Sequence, residues 1–183
     1  MALVKHGQSF KTMAITINGN GTITGVSVGG LPDGVVDRDT LATQAKGTIL
    51  QVINGSTTST FTTTSATFAD IGLSASITPS SSSNKILVFG TIGGIETSAA
   101  NTYGRGKLLR DSTDIISSID YGIGFTGGSE RNGVSSSFSI LDSPSTTSAI
   151  TYKVQFNNPQ PVGTITVQTN SSRSSIVLME VVV

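Results

Sequence analysis

The sequence predicts an all-β fold, an antiparallel β-sandwich, from three observations. Ser and Thr supply roughly three residues in ten and charged residues only 12%, so few long side chains are present to cover helices. The apolar residues gather in short β-branched runs bounded by Gly, Asn, Asp, Pro and Ser. Several of these runs alternate apolar and polar with a period of two, the repeat of a strand with one face in a core. Disorder is the competing reading of a chain so rich in Ser and Gly. Disordered chains of low hydrophobicity usually carry a large net charge, whereas this one balances 11 basic against 11 acidic residues.

The length of 183 residues allows a sizeable core, enough to bury about 70% of the unfolded surface. A formal charge of +0 with no basic block leaves no footprint for a phosphate backbone or an anionic membrane, so nucleic acid is not an expected partner. The absence of cysteine excludes disulfide staples and thiolate metal sites, and fits synthesis in a reducing cytosol. "MALVKHGQSF" lacks the apolar stretch of a secretory signal, and no segment approaches the ~20 apolar residues of a membrane span. Export by an ordinary cleaved signal and membrane insertion are therefore not expected.

Along the chain, residues 13–28 read as two short strands around "NGNG", a tight hairpin turn. After the turn cluster "GGLPDG", residues 37–46 form the one credible helix, with Asp37 or Asp39 as cap and Lys46 at its negative end. Its apolar stripe, Leu41 and Ala45, could meet neighbouring chains or the domain that follows. Residues 1–46 thus form an N-terminal segment, a short β-ribbon plus a short helix, and 47–183 a β-domain. Strands are predicted over 48–54, 58–64, 72–78, 85–95, 103–110, 113–119, 134–141, 149–157, 163–169 and 174–183.

In "AITYKVQFN", Ile150, Tyr152, Val154 and Phe156 fall on one face and Thr151, Lys153 and Gln155 on the other. "KILVFG" and "IVLMEVVV" are apolar on both faces, which predicts burial on both sides, in a covered sheet or at a subunit interface. Val181, Val182 and Val183 are accordingly candidate interface residues, with Leu41; a central strand of a monomeric sandwich is the bland alternative. "PSSSSN", between two apolar runs, reads as a polar hairpin end rather than a linker, because residues 47–77 contain too few strands to close a core alone.

The ingredients of catalysis are scarce. His6 is the single histidine, and no pair of carboxylates stands out as acid and base. No catalytic residue, metal or cofactor is expected. Asp111, Asp114 and Asp120 could surround a hard cation, but they lack the glycine and distal glutamate of a calcium loop, and the turn reading outweighs it. "YGRGKLLR" places Arg105 and Lys107 on one side of a strand, and the glycine-rich "YGIGFTGGSERNG" carries Tyr121, Phe125 and Arg131. These five are the candidate receptor contacts; a solvated strand face and a plain long hairpin are the bland alternatives.

Residues 15–43, "ITINGNGTITGVSVGGLPDGVVDRDTLAT", resemble a segment recurrent in bacteriophage tail-fibre and related virion proteins. "GTILQV", "FADIGLSASITPSSSSNKILV", "LLRDSTDI", "LDSPSTTSAITYKVQF" and the final "SSIVLMEV" are similar to a C-terminal module of such proteins. The resemblance implies a homotrimeric jelly-roll head, in the manner of the tumour-necrosis-factor and complement C1q heads, behind an N-terminal part that attaches to other virion proteins. It also implies no shared catalytic centre. The expected protein is a short homotrimeric tail or baseplate fibre, made in the host cytoplasm, exposed on the virion and binding a host surface glycan. The alternatives are a capsid decoration or head-fibre protein that stabilises the shell and, from another class, a polysaccharide depolymerase. Release of reducing ends would mark the last.

Overall fold

The computed structural model describes residues 48–119, 133–160 and 162–183, the paired residues Thr16–Ile17 and Ile23–Thr24, and the backbone of Tyr121–Ile123. The chain divides into two units, Met1–Ala45 and Lys46–Val183. In the first, β1 (Thr16–Ile17) pairs antiparallel with β2 (Ile23–Thr24), the ribbon expected around the Asn-Gly turn. The expected helix over 37–46 and His6 lie outside the described residues.

The second unit is an antiparallel sandwich. Its strands are β3 (Ile49–Thr57), β4 (Phe61–Thr63), β5 (Ala69–Ile77), β6 (Lys85–Thr97), β7 (Gly104–Arg110), β8 (Thr113–Ile116), β9 (Tyr121–Ile123), β10 (Val134–Asp142), β11 (Ile150–Asn157), β12 (Ile165–Val167) and β13 (Ser174–Val181). One sheet runs β3-β13-β6, with β10 on the far edge of β6 and β12-β4 continuing beside its C-terminal end. The other runs β5-β11-β7-β8, with β9 also on β7. Counted along the chain, the eight principal strands lie 1-8-3-6 in one sheet and 2-7-4-5 in the other, the double Greek key of a jelly roll.

Alternation decides what fills the space between the sheets. Ile71, Leu73, Ala75 and Ile77 of β5 and Ile150, Tyr152, Val154 and Phe156 of β11 face Ile86, Val88 and Ile92 of β6 and Ile176 and Leu178 of β13 in one continuous core. Their polar neighbours point out, and hydroxyls pair across strands there: Ser76 with Thr151 at 2.8 Å, Thr91 with Ser137 at 3.3 Å. Ser and Thr thus line much of the solvent side of these strands, while Thr63, Thr97, Ser136 and Ser174 are buried.

One flank of the sandwich closes where β3 approaches β5. Gly55 sits so near the backbone that a Cβ there would lie 2.1 Å from the Ser74 carbonyl oxygen, so no side chain fits. The opposite flank closes through Asp142 at the end of β10. Its Oδ2 accepts from Arg110 Nη1 at 2.6 Å and from Tyr152 Oη at 2.7 Å, both on the facing sheet.

Two expectations are corrected. "PSSSSN" is not a hairpin end: β5 and β6, which it joins, lie in different sheets, so residues 78–84 form a corner that carries the chain across the sandwich. Within the single chain "KILVFG" and "IVLMEVVV" are buried on one face only, which overturns burial in a covered sheet and leaves the subunit interface as the remaining reading. Ile86 and Val88 are in the core, but Phe89 is 37% exposed on the outer face, because no further layer covers this sheet within the chain's described residues.

Candidate functional site

The two sheets present outer faces of opposite character. On the β5-β11-β7-β8 face, Lys107 Nζ lies 3.0 Å from Asp114 Oδ1 and Lys153 Nζ lies 3.0 Å from Asp70 Oδ2. Gln155 Nε2 donates to Asp70 Oδ1 at 2.6 Å, so polar partners run across the whole sheet. Burial would raise the Asp70 carboxyl, but the bonds from Gln155 and Lys153 outweigh it and hold it below its ordinary value.

Arg105 and Lys107, two of the candidate contacts, stand side by side on this face because they are two residues apart on β7. Both lie over the Phe68 ring, with Lys107 Nζ 4.7 Å and Arg105 Cζ 5.7 Å from its centroid. Tyr121 joins them through the backbone, since β9 places it opposite Arg105. Phe125 and Arg131 lie outside the described residues. Phe68 is not among the residues the sequence singles out; nothing in its own neighbourhood, "ATFAD", marks it, because its partners come from a strand distant in sequence.

On the β3-β13-β6-β10 face the strand registers put Val52, Met179, Leu87 and Leu141 in one row across four strands. Val52 is 54% and Leu141 50% exposed. The adjacent row contributes Val177 and Phe89, also cross-strand partners. Of the candidate interface residues, Val181 is half-buried on this face opposite Lys85 and Ile49, Val182 N donates to Thr48 O at 3.0 Å, and Val183 is exposed. Leu41 lies outside the described residues. The terminal valines therefore border a larger apolar surface, whose members come from four strands that only the register aligns.

Beneath that face is a fully buried carboxylate. Glu180 accepts from Gln51 Nε2 at 2.6 Å, Ser80 N at 2.7 Å, Ser80 Oγ at 2.7 Å and Asn84 Nδ2 at 2.6 Å. Burial pushes the Glu180 carboxyl up, and the bonds from Asn84, Gln51 and Ser80 more than reverse it, leaving it below the ordinary glutamate value. The serine corner is thereby tied to the C-terminal strand and to β3. At Asp142, burial and the Asp142 hydrogen bond keep the Tyr152 phenol protonated far above its ordinary range. Burial would lower the Arg110 guanidinium, but the bond to Asp142 raises it. Both carboxylates are committed to the framework.

Asp111 and Asp114 behave as turn and strand residues. Asp111 adopts φ 53° in the tight β7–β8 turn and its Oδ1 accepts from Thr151 N at 2.9 Å, while Asp114 faces Lys107. Asp120 lies outside the described residues. Among the described residues no group of three or more His, Cys, Asp or Glu is placed to hold a metal ion, and no helix is long and apolar enough to cross a membrane.

No family model matches the chain, and no curated protein matches it. Solved structures similar to it include the VP2 subviral particle of infectious bursal disease virus, at 13% identity over 73% of this chain and a TM-score of 0.45. A Gx-strain structure of the same virus is similar at 13% identity over 72% of this chain, TM-score 0.46. T=1 particles derived from infectious bursal virus are similar at 13% identity over 74%, TM-score 0.41. The chain spans about a third of the length of these proteins, 33%, 32% and 37% respectively. Likenesses of this size define neither a family nor a function.

Proposed function

We propose that the chain is a structural protein of a bacteriophage particle, a short homotrimeric fibre on the tail or baseplate that binds the host cell surface. Residues 1–46 attach it to other virion proteins, and the sandwich is the head. The observation that carries this reading is the strand order, 1-8-3-6 over 2-7-4-5, which is the jelly roll implied by the resemblance of the sequence to phage fibre modules. The activity is binding without turnover. A glycan would hydrogen-bond to Arg105 and Lys107, which the Phe68 ring backs, and to the paired carboxylates beside them, and display of several heads would turn weak contacts into avidity.

The test is imaging of phage particles with an antibody raised against residues 47–183. Label on the tail or baseplate is the expected result. Label spread over the capsid transfers the protein to shell decoration, and particles without label remove the virion assignment. Adsorption of particles carrying Arg105→Ala with Lys107→Ala should fall at least tenfold; unchanged adsorption removes the host-contact role of this face.

A further inference from the structure

We propose that the outer face of the β3-β13-β6-β10 sheet is the surface on which copies of this chain assemble, with the row Val52, Met179, Leu87 and Leu141 at its centre. The proposal rests on the reading of the chain as a self-assembling particle protein, and adds which surface does it.

The molecule supplies its own control. Antiparallel sheets with one wet face alternate apolar-in, polar-out. The β5-β11-β7-β8 sheet does so, with Ser74, Ser76 and Thr151 facing water. The other sheet belongs to the same Ser- and Thr-rich chain, yet sets a Val, a Met and two Leu in one cross-strand row, with Phe89 and Val177 beside them. Apart from Lys85 at one corner, polar residues on this face are confined to the ends of the second row, Asn54 and Ser139, and to the row beyond it, so the Val52–Met179–Leu87–Leu141 row is unbroken.

Size and charge point to another copy as the occupant. Four strands about 4.8 Å apart, each with four outward residues about 6.7 Å apart, make a plane of roughly 500 Å². Matched by an equal area of a neighbouring copy, it comes to about 1,000 Å² before side-chain relief is counted, the size at which specific interfaces begin. The central rows hold no charge, and Lys85 stands at one corner opposite Val181, so two copies meet without opposed charges at the middle. An acidic or basic partner would find nothing to pair with there. The next row outward, Ser175, Thr91 and Ser137, supplies a polar rim.

The experiment is sedimentation velocity on the purified full chain. Wild type should sediment as an oligomer at tens of micromolar. Val52→Glu with Leu141→Glu, both half-exposed positions outside the core, should weaken association at least a hundredfold and leave the 18.8 kDa monomer with an unchanged circular dichroism spectrum. Ser74→Glu with Ser112→Glu, on the opposite face and the β7–β8 turn, should remain oligomeric. If the Glu pair unfolds the chain, Val52→Thr with Leu141→Thr replaces it, with at least a tenfold weakening expected. A monomeric wild type at 100 μM, oligomers unaffected by either apolar-face pair, or loss of assembly in the Ser74/Ser112 variant would each overturn the proposal. A dimer dissociated by the Glu pair would support the surface while refuting the trimer. A monomer that antibody nevertheless finds on particles would refute the surface and leave the virion assignment standing.

Discussion

Glu180→Gln tests how the serine corner is held. The substitution keeps the shape of a side chain that is fully buried and exchanges one acceptor oxygen for an NH2 with two donors. Whichever way the amide turns, donors face donors: at the Oε1 position Ser80 N and Asn84 Nδ2, at Oε2 Gln51 Nε2. Gln51 cannot turn over to accept without releasing the Thr78 carbonyl, to which its Nε2 also donates at 2.8 Å. Losing charge assistance costs about 0.5–1 kcal/mol for each surviving bond, and an opposed donor pair about 1–3 kcal/mol. Relief from burying an ion returns part of this, leaving about 2–3 kcal/mol of destabilisation.

The assay is urea unfolding at fixed protein concentration, where a loss of that size moves the midpoint by about 1 M with little change in slope. The pH dependence supplies a second, independent reading. Because the folded-state pKa of Glu180 is depressed, its contribution is present above the unfolded value, about 4.3, and is lost as pH falls through the folded value. The gap between wild type and variant should therefore shrink below about pH 4. A gap under about 0.5 kcal/mol at pH 7, or one that stays constant down to pH 3, would refute the account.

Three further outcomes follow from the framework. Gly55→Ala should cost at least about 3 kcal/mol, read as a lowered urea midpoint, because the new methyl would meet the Ser74 carbonyl in rigid backbone. Tyr152→Phe should cost about 1–2 kcal/mol in the same assay, since it removes one of the two donors to Asp142 and leaves the ring in place. Asp111→Ala should cost about 1–2 kcal/mol and Asp111→Gly less, because the turn needs φ 53° and only the first variant combines a Cβ with loss of the Thr151 bond partner; equal losses would show that the backbone angle is not the cause.

Strands whose outer and inner residues differ in polarity are legible in the amino-acid sequence alone. β11 declares its core face through Ile150, Tyr152, Val154 and Phe156, and each is buried there. The destination of each strand is not legible. Pro79 to Asn84 carries the residues of any polar turn, and such residues serve a hairpin and an inter-sheet corner equally well. What distinguishes them is Glu180, which binds Ser80 and Asn84 from a strand at the other end of the chain. The apolar surface is legible only in part. "KILVFG" announces a second apolar face, but Val52 and Leu141 each look like lone exposed residues until the registers set them beside Leu87 and Met179. Phe68 is hidden for the same reason.

β3 is where these features meet. Its alternate residues face opposite ways, so Gln51 and Gly55 turn toward β5 and the serine corner while Val52 turns toward the apolar row. A strand at a sheet edge has only one ladder to hold it, here the one with β13. The close approach at Gly55 and the Gln51 bonds to Thr78 and Glu180 give it a second attachment, on the side away from β13's ladder. That attachment fixes the height and tilt of Val52 at the end of the row. A buried carboxylate is costly to desolvate, and its position explains its use: Glu180 holds the corner, the edge strand and the C-terminal strand in one arrangement, beneath the face on which copies are proposed to meet.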